Sequence, residues 1–212
     1  MYLKGEKSSD YTMVFDLKGR VIFFATGNIN KFNEARSVLN EYRIAVGMLK
    51  VKTLEIQSDN PEEIAKASVL EAFRKATLPM IVEDAALFIE ALNGFPGPYA
   101  AYAYKTIGNE GLMKLMHNLV NRRARFQSSI AYFASSLSVP ICFNGDANGE
   151  IITKEPKKEG TSGFGFDPIF RPIGSNKTFA EMTVAEKNRF SHRADALHKF
   201  AEWYKSQASR TG

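Results

Sequence analysis

Up to about residue 19 the chain is polar and weakly patterned, and its spacing predicts at most a marginal edge strand over 11–17. From Arg20 the pattern sharpens. Residues 21–25 are a short apolar run of buried-strand type, which breaks at Thr26-Gly27-Asn28. Phe32, Ala35, Val38, Leu39 and Tyr42 then recur at helical spacing. A strand-like stretch over 44–54 is interrupted by Gly47. Asn60-Pro61-Glu62-Glu63 starts a second helix, with Asn60 as N-cap, Pro61 in the first helical position and Glu63 placed to close a capping box. Ala65, Val69, Ala72, Phe73 and Ala76 form its apolar stripe. Residues 80–83 read as a further buried strand ending at Asp84. After the turn-forming NGFPGP sequence, a short helix carries Leu112, Leu115 and Met116.

Over 124–154 the period shifts towards two. Strands over 126–133, 139–143 and 150–153, separated by Asn144-Gly145-Asp146 and Asn148-Gly149, predict an antiparallel meander. A last helix starts near Ser191, with Ala194, Leu197, Phe200, Ala201 and Tyr204 on one face. No repeat or linker divides the chain. The expected fold is α/β, with one β-rich and one helix-rich lobe around a cleft: a single two-lobed domain over 20–212 behind an extension over 1–19.

Composition adds bounds rather than an assignment. With 212 residues, 44% hydrophobic and 24% charged, the chain can bury a sizeable core and is not of the disordered class. No apolar run is long enough to span a bilayer. The first residues lack the apolar middle of a signal peptide, so a cytoplasmic location is expected. Cys142, the single cysteine, lies in the apolar run VPICF and reads as a buried, inert thiol. The net charge of +5 is compatible with a polyphosphate substrate or with nucleic acid. The basic clusters at Arg122, Arg123, Arg125 and at Lys154, Lys157, Lys158 are too short for a nucleic-acid arm and read as solvated surface.

Candidate chemistry concentrates in three places. Thr26-Gly27-Asn28 with Lys31 puts a glycine turn, a helix N-terminus and an ammonium at the end of a strand, a phosphate-cradle arrangement; a plain strand–helix turn with a surface lysine fits the local pattern equally well. Glu83-Asp84, placed at a strand end, supplies carboxylates that suit Mg²⁺ when phosphates and waters complete the shell. Glu55 is a second carboxylate near a strand end, in itself an ordinary exposed one. The third place is residues 163–197, where GFGFDPIF, KTFAEM and EKNRFSHRADAL crowd charged groups among aromatics. Phe164 and Phe166, flanked by glycines, are rings of the kind that lie against a base. His192, between Ser191 and Arg193 at a helix start, is the one histidine of the three placed like a ligand contact.

Taken in order, TGNINK at 26–31, an acidic pair before ALFIEALNGFPGPY within 83–99, GFGFDPIF at 163–170, KTFAEM at 177–182 and EKNRFSHRADAL at 186–197 closely resemble the inosine triphosphate pyrophosphatase family, which acts on non-standard purine nucleoside triphosphates. The resemblance covers the chain from about Arg20 onward. It implies an elongated mixed sheet with two lobes, a nucleotide in the cleft, a homodimer, and Mg²⁺-dependent hydrolysis of ITP, dITP and XTP to the monophosphate and pyrophosphate. It assigns Thr26, Asn28 and Lys31 to the triphosphate and Glu55 and Asp84 to the metal, with Asp84 also orienting or deprotonating the attacking water. Phe164, Phe166 and Asp167 are assigned to base and sugar, Lys187 to phosphate or sugar, and Ser191, His192 and Arg193 to the base edge. Two departures stand out. Many relatives carry Asp-Asp-Ser-Gly where this chain has Glu83-Asp84-Ala85-Ala86, and many bacterial relatives carry an arginine just after the GFPG turn, where this chain has Tyr99-Ala100-Ala101-Tyr102.

Overall fold

The computed structural model describes residues 21–53, 56–153 and 163–208. The extension over 1–19, Glu55 and the basic cluster Lys154, Lys157, Lys158 lie outside the described residues. Strand β1 (Ile22–Ala25) leads into helix α1 (Ile29–Glu41), followed by β2 (Val46–Leu49), α2 (Pro61–Ala76), β3 (Met80–Ile89), the two-residue β4 (Pro96–Gly97), α3 (Ala100–Thr106) and α4 (Gly108–Leu115). Then come β5 (Arg123–Phe133), β6 (Ile141–Ile151), β7 (Phe170–Pro172), α5 (Val184–Asn188) and α6 (His192–Ala208). The strands form one mixed sheet in the order β2-β1-β3-β5-β6-β7, with β4 paired to β3. The expected α/β architecture is present.

Three elements differ from the sequence reading. The predicted meander is two long strands, and the supposed turns at 144–146 and 148–149 lie inside β6. Its glycines answer to tertiary contact. A Cβ at Gly145 would lie 2.2 Å from the carbonyl oxygen of His192, and one at Gly149 would lie 2.3 Å from that of Arg171. Strand β3 does not stop at Asp84 but runs on to Ile89, paired with β5 along its whole length. At the start of α2, Asn60 caps as expected, its side chain accepting from the Glu62 N–H. Glu63 does not close the box: Ser58 stands between, donating to Glu63 at 2.7 Å and accepting from the Asn60 N–H.

Alternation along β3 and β5 explains the two lobes. Successive strand residues point to opposite faces. On one face, Ile81 of β3 with Ile130 and Tyr132 of β5 belong to a core built with α1 and α6. At the other end of the same face, Leu87, Ile89, Ala124 and Phe126 belong to a second core under α3, α4 and the 163–182 segment. Between the two cores the row is Ala85, Ser128 and Gly145, all small and adjacent in register. A row of small side chains leaves a trough across the sheet, and the first turn of α6 sits over it. The opposite face carries Val82, Ala131 and Phe133 under α2.

Strand β3 changes partner along one edge. Beside β1 it is paired at Met80 and Ile81, and beside β4 at Leu87 and Phe88. Between these, Val82 to Ala86 have no ladder neighbour on that edge among the described strands.

Candidate active site

The trough widens into a cleft of about 310 Å³. Its floor is Ala85 and Phe126, one wall is Asn28 and Lys31 of the β1–α1 turn, and the other is Phe164, Gly165 and Phe166. His192 and Arg193 close the inner end, while Ala100, Ala101, Tyr104 and Lys105 of α3 form the roof.

Behind the wall runs a chain of buried charges. Lys31 pairs with Glu83 at 2.7 Å. Glu83 also accepts from Ser128 at 2.8 Å and from Arg193 at 3.1 Å. Arg193 reaches Glu34 through its other nitrogen; Glu34 pairs with Lys187 at 2.7 Å, and Lys187 with Asp167 at 2.7 Å. Each cation in this chain faces a carboxylate, as burial requires. Burial opposes ionisation of Glu34, but Arg193 and Lys187 hold its carboxyl below the usual range; Arg193 and Lys31 do the same, more strongly, for Glu83. At Asp167 burial prevails and the carboxyl is raised, Lys187 notwithstanding. The Lys187 ammonium and the Arg193 guanidinium both lie over the Phe164 ring, at 4.9 and 5.5 Å from its centre.

At the mouth, Asn28 caps α1, its side-chain oxygen accepting from the N–H groups of Asn30 and Lys31. Thr26 holds the turn by accepting from the Asn28 N–H at 3.1 Å. A Cβ at Gly27 would meet nothing within 4 Å, so the backbone there is open to a ligand. Asp84 is half-buried and, by alternation, points to the face opposite Glu83 and Ala85, towards the α2 side. It lies on the unpaired stretch of the β3 edge, just past the end of β1.

A model of the Ham1 family matches residues 22–203. The chain belongs to this family. Over 188 residues it is 48% identical to the dITP/XTP pyrophosphatase of Methanopyrus kandleri, covering 89% of this chain and 98% of that protein. With the dITP/XTP pyrophosphatase of Thermococcus kodakarensis it shares 47% identity, over 86% of this chain and 96% of that one. Among solved structures, the Ham1 protein of Staphylococcus aureus superposes with a TM-score of 0.73 at 27% identity, covering 88% of this chain and 99% of that one. A HAM1 protein from Coxiella burnetii gives 0.74 at 26%, covering 88% and 98%.

In this Ham1 family member the fold gathers most of the residues singled out by sequence. Asn28, Lys31, Phe164, Phe166, Asp167, His192 and Arg193 line one cleft. Two of these also do structural work, as does Ser191 beside the cleft. Ser191 is buried and caps α6, accepting from the Ala194 N–H at 3.1 Å. Asp167 accepts from the Phe164 N–H at 3.0 Å and so fixes the loop that presents that ring. Phe166 is a core residue, edge-on to Tyr104. Sequence reasoning missed Glu34, Ser128, Phe126, Tyr104 and Lys105. Of the cluster at 122–125, Arg123 and Arg125 pair with Glu90 and Asp146 at the surface, whereas Arg122 is half-buried and donates to the backbone carbonyls of Ile151 and Met116. Cys142 is half-buried rather than buried as expected; what burial it has pushes its thiol up to about 11. Among the described residues no helix is long and apolar enough to cross a membrane.

His192 is 2% exposed and stacked on Phe126 with ring centres 4.7 Å apart. Burial, reinforced by Arg193, holds its imidazole well below the ordinary value of 6.5, so it stays neutral in the fold. The unfolded chain therefore binds the extra proton as pH falls past that value, and stability drops. Between about pH 6.5 and 5 the expected loss is on the order of 1 kcal/mol per pH unit. Glu34 and Glu83, whose carboxyls are depressed, stabilise the fold above about pH 4.3 and add their own loss only below it. Asp167, raised by burial, works in the opposite sense, so urea midpoints at pH 7.5 and 5.5 are compared between wild type and His192→Phe; the same pH dependence in both would mean that His192 titrates normally.

Proposed function

We propose that this chain is a nucleoside triphosphate pyrophosphatase that hydrolyses dITP, ITP and XTP to the monophosphate and pyrophosphate, removing deaminated purines from the nucleotide pool. One observation carries the reading beyond family membership. A cleft with an aromatic, cation-backed wall at one end and a capped helix start with Lys31 at the other suits a base and a phosphate chain in a single ligand. A homodimer in the cytoplasm belongs to the same reading by resemblance, and light scattering of the purified chain tests the dimer.

Among the described residues no cluster of three or more His, Cys, Asp or Glu side chains is suited to a metal ion. Mg²⁺ needs no such cluster, since it binds through one or two carboxylates together with substrate phosphates and waters. Asp84, half-buried on the β3 edge just past the end of β1, is the carboxylate of this kind; Glu83 is committed to Lys31, Ser128 and Arg193. Asp84 would hold the ion with Glu55, and the bound ion would supply charge neutralisation on the phosphates. Lys31 would meet the phosphates at the α1 end, with Gly27 leaving room for their approach. Asp84 would also orient, and accept a proton from, the water that attacks the α-phosphorus as pyrophosphate leaves. No covalent intermediate is needed, so positioning and preorganised charge supply most of the rate.

Base choice follows from the purine 6-position. Hypoxanthine and xanthine present an oxygen acceptor there, where adenine presents an amino donor. Arg193 is already engaged by Glu34 and Glu83, so backbone N–H groups of the cleft are the better source of the donor to O6. A donor left unpaired against adenine costs about 1–3 kcal/mol, or roughly tenfold to hundredfold in rate. The test is pyrophosphate release from dITP, XTP, GTP and ATP with Mg²⁺ and with EDTA. Release from dITP and XTP at least about tenfold above ATP, abolished by EDTA, is expected. Equal release from all four would refute base selection, and release from none would refute the function.

A further inference from the structure

Of the cations lining the cleft, Lys31 and Arg193 are already held by carboxylates: Lys31 by Glu83, and Arg193 by Glu34 and Glu83. Lys187, just behind the wall, is held by Glu34 and Asp167. An anionic ligand entering here finds positive charge that is largely spent. Lys105 differs. It lines the same cleft from the roof, is exposed, and makes no ion pair among the described residues. It rides on α3, a helix of only seven residues, which touches the rest of the fold through buried Ala103 and through Tyr104 against Phe166. The next cation along the chain, Lys114 of α4, pairs with Glu110 at 2.7 Å and does not reach the cleft.

On the pyrophosphatase reading above, we infer that Lys105 is a substrate-binding residue that contacts the β- or γ-phosphate of the nucleotide from the α3 roof. It supplies the uncommitted positive charge that the buried ion-pair chain does not. Its exposed, flexible stem lets the ammonium reach down once a phosphate is present, and an ammonium serves there as a point charge.

The contact is read by binding rather than by rate. Wild type, Lys105→Ala, Lys105→Arg and the control Lys114→Ala are titrated with dIMP and with the non-hydrolysable α,β-imido analogue of dITP, both in Mg²⁺. Lys105→Ala is expected to weaken the triphosphate analogue by about tenfold and to leave dIMP unchanged. Lys105→Arg keeps most of the affinity, and Lys114→Ala keeps all of it. Because Lys105 is exposed, none of this depends on a damaged fold. Unchanged analogue affinity in Lys105→Ala would overturn the proposal. So would an equal loss for dIMP, which moves the contact to base, sugar or α-phosphate, or an equal loss in Lys114→Ala, which reduces it to general surface charge. If the wild type binds neither ligand, the nucleotide reading itself has failed, a result separate from any of these.

Discussion

Asp84→Asn is expected to lower turnover of dITP by on the order of 10³-fold while binding of the triphosphate stays within a few-fold of wild type. The amide matches the carboxylate in shape, so the strand and its pairing with Ser129 survive the change. What disappears is the charge that would hold Mg²⁺ and the oxygen that would accept a proton from water. The neighbouring Glu83→Gln is a sharp contrast. Glu83 faces the other side of β3 and is bound to Lys31, Ser128 and Arg193, so its loss should register first in stability. Steady-state kinetics with dITP and urea unfolding of both variants separate the two roles. Near-normal turnover in Asp84→Asn would remove Asp84 from both metal and base.

Arg193→Met should destabilise the fold by roughly 3–5 kcal/mol, because it strips the partner from buried carboxylates. The Arg193 side chain is 2% exposed, against 6% for Glu34 and 0% for Glu83. Lys31 and Lys187 would remain, but each already serves the far end of its carboxylate. Total stability of a domain is typically about 5–15 kcal/mol, so the variant would be close to unfolding at ambient temperature. Urea denaturation followed by circular dichroism measures the loss. Adding Glu34→Leu should recover part of it by removing one of the stranded charges. A loss below about 1 kcal/mol would mean that water or the two lysines rescue the carboxylates.

These two side chains also mark where sequence reading succeeds and stops. Helices α1, α2 and α6 were legible because their apolar stripes and the Asn60-Pro61 start are local signals. Strand β6 was not, since Gly145 and Gly149 carry turn chemistry in sequence but serve close approach of α6 and β7 in space. Asp84 was legible as chemistry, yet its strand continues five residues further because pairing with β5, a distant segment, holds it. Glu34 was invisible. On α1 it is one more polar residue beside the apolar stripe, and it becomes buried only because Lys187 and Arg193 arrive from 153 and 159 residues away. Phe164 and Asp167 could be picked out from the density of rings and charges, but not the hydrogen bond by which one presents the other. Lys105 had no local signal at all, since nothing in AAYAYKT says which side of α3 overhangs a cleft.

The partner change along β3 has a consequence for solubility. Bare strand backbone is a template on which another chain can add, and exposed edges are a common route to aggregation. Here the bare stretch is bounded by β1 on one side and β4 on the other, and it carries Glu83 and Asp84 at its centre. A foreign strand of useful length would collide with both neighbours before it could pair. The protein can thus break its ladder at this point without offering the gap to another strand.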